Sequence, residues 1–173
     1  LSIDDAEEAM AEGADGLLYS GLLDLATAKH LATLVGGGDL TLQSGSDALE
    51  SEDWLRLALL ANLRVCLPED DDPDFVRSDW DEALERLTEG GERGALPRLS
   101  TRLLDPPETT EGWDELLLDT LWVPDDLLTC PPLYFCVNGD FADLEAAIAA
   151  GVYGVCVAPA EVTATKDAIR ELE

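Results

Sequence analysis

Two stretches of this chain are nearly the same sentence: DAEEAMAEGADGLLYSG, from Asp5 to Gly21, and DLEAAIAAGVYGVCVAP, from Asp143 to Pro159. Laid over one another at an offset of 138, they share acids at Asp5/Asp143 and Glu7/Glu145, alanines at Ala9/Ala147 and Ala11/Ala149, and glycines at Gly13/Gly151 and Gly16/Gly154. Each reads as an amphipathic helix closed by Gly13 or Gly151 and followed within three residues by a short apolar strand. A helix that stops at glycine and leads at once into such a strand is the second half of a βαβ unit. The same unit at both ends of the chain predicts rotational symmetry, hence a barrel.

The residues between the two copies continue the pattern. A helix around Leu23 to Leu34 and the Gly36-Gly37-Gly38 break lead into strand DLTLQSG, Asp39 to Gly45. A helix from Ser51 to Ala61, with Ser51 as its cap, leads into NLRVCLP, Asn62 to Pro68. Glu69 to Asp74 reads as an acidic loop, Ser78 to Gly91 as a capped helix, and Ala95 to Thr101 as a strand made irregular by Pro97. After a polar loop, Asp105 to Gly112, and the segment WDELLLD come strands TLWVP (Thr120 to Pro124) and PLYFCVNG (Pro132 to Gly139). The second copy then supplies GVCVAP, and a helix from Thr165 to Leu172 closes the chain. The seven strands read as mostly apolar on both faces, as a parallel sheet wrapped in helices requires. The expectation is an α/β fold, one domain over residues 1–173: an incomplete (β/α)8-type TIM barrel of about seven strands. A complete one needs eight strands and typically at least ~200 residues, and this chain opens on a helix. A doubly wound open parallel sheet is the competing arrangement.

The 173 residues include 46% apolar side chains, enough for a core, and 38 acids against eight arginines and two lysines, a formal net charge of −28. Such a surface repels nucleic acid and anionic membranes, and no run of about 18 apolar residues is present to span a bilayer. Salt adaptation or the codon bias of a GC-rich genome would account for the acidity, and docking to a basic partner through Glu69-Asp70-Asp71-Asp72 is a third alternative. The four cysteines, Cys66, Cys130, Cys136 and Cys156, form no CxxC pair, and the single His30 offers no metal spacing. Buried reduced thiols imply a reducing compartment. That compartment is the cytoplasm, or an organelle stroma or matrix if residues before Leu1 have been removed.

The order of pieces resembles the thiamine-phosphate-synthase family and its relative TenI, phosphate-binding (β/α)8 barrels. GADGLLYSG stands where that family has its second strand, LRVCLPEDDDPDF (Leu63 to Phe75) where it has a strand followed by an acid and a proline, and LPRLSTRL (Leu96 to Leu103) where it has a Ser-Thr strand. PLYFCVNGDFADLEAAIAAGVYGVCVAP matches its last two strands and the helix between them. The resemblance implies Mg2+ on a substrate diphosphate, cations to stabilise departing pyrophosphate, and backbone amides that receive phosphate. Among the positions it points to are Ser100, the loop residues Asn138 and Gly139 at the phosphate end, and Asp70, Asp71 and Asp72 as carboxylates for a divalent cation.

Elsewhere the family's chemistry is missing. The Gln-x-Arg-x-Lys motif after the second strand is replaced by Leu17-Leu18-Tyr19-Ser20-Gly21, and the Asn-Asp after the third by Gln43-Ser44-Gly45. Val123-Pro124-Asp125-Asp126 lacks the lysine expected after the sixth, and Ala158-Pro159-Ala160-Glu161 replaces the small phosphate cradle. Proline removes an amide donor, and Asp140 and Glu161 repel an anion. The expected function is therefore that of a barrel without catalytic activity, with no cofactor, acting as a binding or assembly subunit with a protein partner or further copies of itself. The rival is an active transferase using Mg2+.

With −28 on a small surface, screening should relieve self-repulsion. The melting temperature is expected to rise from low to molar KCl; a flat or falling curve counts against this.

Overall fold

The computed structural model describes residues 2–107, 109–121, 130–137 and 141–172. In chain order it contains α1 (Ile3–Ala11), β1 (Gly16–Tyr19), α2 (Leu25–Val35), β2 (Asp39–Gln43), α3 (Ser51–Leu57), β3 (Asn62–Leu67) and α4 (Pro73–Glu89). There follow β4 (Arg98–Leu103), β5 (Glu115–Leu118), β6 (Leu133–Cys136), α5 (Phe141–Ala149), β7 (Gly154–Cys156) and α6 (Val162–Leu172). All seven strands are parallel, and their order in space is their order in sequence. A doubly wound sheet reverses direction at a switch point; this sheet does not, so that alternative is overturned. Among the described residues nothing pairs with the outer edges of β1 and β7. The result is a nearly closed barrel of seven strands with one open seam.

Strand register divides the sheet into two chemically opposed faces. Leu40 is opposite Leu17 and Leu63, Val65 is opposite Leu42 and Leu99, and Phe135 is opposite Leu118 and Val155. These side chains point outward and build the apolar layer against the helices, where Ala28, Leu31, Trp54, Trp80 and Ala83 are almost wholly buried. The alternate positions point inward, and most are polar: Asp39, Thr41 and Gln43 on β2, Asn62 and Arg64 on β3, Arg98, Ser100 and Arg102 on β4. The strands are thus apolar on one face only, which corrects the reading of both faces as apolar.

Local chemistry explains where the elements begin and end. Ser2 and Asp5 form a reciprocal capping box at the start of α1. Gly13 and Gly151, at φ 87° and 77°, take the left-handed backbone conformation after the two matching helices, which glycine adopts without strain. α4 starts five residues before the expected Ser78, because Asp72 accepts from the amides of Asp74 and Phe75 and Pro73 occupies the first turn. Ser51 is the first residue of α3 rather than its cap, and its hydroxyl donates to Asp79. The fifth strand is Glu115–Leu118, inside WDELLLD, rather than TLWVP; Thr120 and Leu121 lie beyond the strand, and 122–124 fall outside the described residues.

Trp54 is fully buried, donates its indole N–H to the carbonyl of Ser46 at 2.9 Å, and packs on Trp80 with ring centroids 6.5 Å apart. Trp54→Ala is expected to cost ~3–5 kcal/mol in urea unfolding through the cavity it leaves. A loss below ~1 kcal/mol would show that α3 does not depend on this packing.

Candidate functional site

The inward residues form two levels inside the barrel. At the level near the strand N-termini, Arg64 and Glu115 are an ion pair with side chains only 4% and 1% exposed. Arg98 reaches the same carboxylate at 2.7 Å, and Arg64 also touches Asp39 at 3.4 Å. Arg64 donates to the Tyr134 hydroxyl at 2.8 Å, and its guanidinium carbon lies 5.0 Å from the centre of that ring. Asn62 joins the network by donating to Asp39 and accepting from Arg98. Burial works against the charge on Arg64, but Glu115, Tyr134 and Asp39 around it raise its pKa nonetheless. Burial also pushes the Tyr134 hydroxyl up to about 12, with Arg64 acting the other way.

Nearer the strand C-termini, where barrels of this class do chemistry, stand Gln43, Cys66, Ser100, Arg102, Cys136 and Cys156. Arg102 is clamped by both carboxylate oxygens of Asp119 at 2.6–3.0 Å and also donates to Gln43 at 3.3 Å. The Asp119 bond is the main cause of its raised pKa. Each of the three interior arginines therefore already faces a carboxylate, which leaves little positive potential for an incoming phosphate.

Among the described residues, the expected site residues fall on different elements. Ser100 is fully buried and points into the barrel opposite Cys66, with no hydrogen-bond partner for its hydroxyl oxygen. Asp70 and Asp71 stand in the turn after β3, and Asp72 is occupied as the α4 cap. Asn138 and Gly139 lie outside the described residues. Among the described residues no group of three or more His, Cys, Asp and Glu side chains is arranged to hold a metal ion. His30 is exposed on α2 and meets Glu7 of α1 at 3.2 Å.

The seam contains a cavity of about 490 Å³. Gly16 to Leu18 of β1 and Gly154 to Val157 form its two sides. Ala6 and Ala9 of α1 and Val162 and Thr165 of α6 roof it, and Thr41, Arg64 and Tyr134 face it from the barrel interior. The roof is tied by Lys166 to Asp15 at 2.9 Å and by Thr163 to Glu12. The sequence reading does not single out the interior arginines or Glu115. Their signal was the alternation in DLTLQ, NLRVC and RLSTR, a polar residue at every second position.

No known family model matches the chain, and no curated protein is recognisably similar to it. Among the described residues no helix is long and apolar enough to cross a membrane.

Removing one member of a buried pair leaves an uncompensated charge. Glu115→Ala is expected to lower stability by ~3–5 kcal/mol, and Arg64→Met with Glu115→Leu should recover most of that loss. Urea unfolding of both variants checks this; a double variant no more stable than Glu115→Ala contradicts it.

Proposed function

We propose that this chain is a non-catalytic barrel of the thiamine-phosphate-synthase type, serving as a binding or assembly subunit that receives a strand of a partner polypeptide in the seam between β1 and β7. The observation that carries the reading is the roofed cavity between the outer edges of β1 and β7, with which nothing pairs among the described residues. Unpaired backbone groups at such edges cost on the order of 1–3 kcal/mol each when buried, and a parallel strand satisfies both rows at once. The loss of catalysis is supported by the interior arginines, each held by a carboxylate, and by the sequence departures at the phosphate-end loops.

The lining specifies the guest. Side chains pointing outward meet Ala6, Ala9 and Val162 and are apolar; those pointing inward meet Thr41, Arg64 and Tyr134 and are polar. Asp5, Asp15 and Asp39 at the cavity rim favour basic flanking residues. A synthetic Lys-Val-Thr-Val-Thr-Val-Lys peptide serves as the probe, with amide hydrogen exchange as the readout. At about 100 times its Kd it should slow exchange of Leu17 to Tyr19 and Val155 to Val157 about a hundredfold. Ala9→Phe, which fills the slot from α1, should abolish the effect without unfolding the chain. The purified protein with Mg2+, the thiazole phosphate and the pyrimidine diphosphate is expected to form no thiamine phosphate. Three results overturn the reading: edges already protected without peptide, a dimer whose own strands fill the seam, or turnover that disappears when Asp70, Asp71 and Asp72 are changed to Asn.

A further inference from the structure

We propose that Cys136 and Cys156 are a redox-active dithiol that closes to an intramolecular disulfide when a hydroperoxide reaches it through the seam cavity. The path runs through the same seam cavity, so the inference concerns the chain with that seam unfilled. Cys136 of β6 and Cys156 of β7 are direct register partners, so both side chains project from the same, inner face of adjacent strands. Neighbouring strands lie ~4.8 Å apart, within the Cα separation of ~4.4–6.8 Å that a disulfide spans. Both sulfurs are free. Cys156 forms part of the cavity wall, and Cys136 is buried behind it.

The surroundings give the two sulfurs different roles. The neighbouring Cys156 thiol lowers the Cys136 pKa; burial opposes this, the Arg102 guanidinium of β4 supports it, and Asp119 after β5 opposes it. The proposal gives Cys136 the part of nucleophile. Cys156 is raised by the neighbouring Cys136, then by burial, and is the resolving thiol. Cys66 of β3 is pushed up to about 11 by burial, with the Arg102 guanidinium acting the other way, and stays a thiol. A lowered-pKa cysteine beside a resolving one and next to an accessible space is the arrangement that oxidises reversibly.

The chemistry balances with the hydroperoxide as sole oxidant. The Cys136 thiolate attacks one peroxide oxygen, an S–O bond forms, the O–O bond breaks, and the departing hydroxide takes a proton to leave as water. Cys156 sulfur then attacks the Cys136 sulfenic sulfur; the S–S bond forms, the S–O bond breaks, and a second water leaves with the Cys156 proton. Two thiols lose two electrons and the peroxide gains them. Hydrogen peroxide is little larger than water, so it fits a cavity of this size.

The test treats the whole protein with hydrogen peroxide in molar KCl, blocks remaining thiols with N-ethylmaleimide, and locates the products by intact mass and peptide mapping. Wild type, Cys66→Ser and Cys130→Ser are expected to form the Cys136–Cys156 disulfide, reversed by dithiothreitol. Cys156→Ser should stop at a Cys136 sulfenic acid that dimedone captures, and Cys136→Ser should oxidise more slowly than wild type. The wild-type rate should rise with pH and level off with a midpoint below the ~8.5 of an ordinary thiol. The proposal fails if the disulfide contains Cys66 or Cys130, if all four thiols remain open to the maleimide, or if Cys136→Ser reacts as fast as wild type.

Discussion

The buried ion pair between Arg64 and Glu115 is the constraint around which the barrel is arranged. A guanidinium and a carboxylate taken out of water this completely are tolerable only with further hydrogen bonds on their remaining atoms. Those bonds come from Asp39 on β2, Arg98 on β4 and Tyr134 on β6, so groups from five consecutive strands are tied into one network. A one-residue slip of β3 would turn Arg64 toward the helices and carry Leu63 and Val65 into the polar interior. The hydrophobic layer outside and the charge network inside therefore specify the same register from opposite sides of the sheet. The outer layer contributes stability by burial, whereas the inner network contributes mainly a penalty on every alternative pairing.

An interior whose positive groups are already neutralised differs in kind from a barrel mouth built to hold phosphate. Phosphate sites need donors that face an empty space. Here Arg102 is held by Asp119 and Gln43 at the end of the barrel where such donors would act. The open space lies at the side, between β1 and β7, where the unmet needs are backbone hydrogen bonds and apolar contact rather than charge.

The repeated helix–glycine–strand unit made the architecture legible before any coordinates, because Gly13 and Gly151 mark where two equivalent helices must stop. The count of seven strands follows from the same alternation along the chain. The fifth strand was misplaced because ELLL has the length of a helical turn and the composition of one, and only its pairing with β4 and β6 selects the extended form. The start of α4 was misread for a different reason. A run of acids reads as solvated loop, while Asp72 followed by Pro73 is a helix cap whose signal is two residues long. The interior site was the least legible part. Arg64, Arg98 and Glu115 are ordinary surface residues by type, and only the closing of the sheet turns them toward one another.

The sequential strand order has a kinetic meaning. Every strand pairs only with its predecessor and successor in the chain, so each ladder closes a loop of modest length. In a closed barrel the first and last strands must also find each other across the whole polypeptide, which is its most entropically demanding step. Here that encounter consists of contacts between the α1 end of the chain and the α6 region, such as Lys166 of α6 with Asp15 just before β1. Folding can thus advance from one end as an accretion of neighbouring units, each resting on the one before, without waiting for the ends to meet.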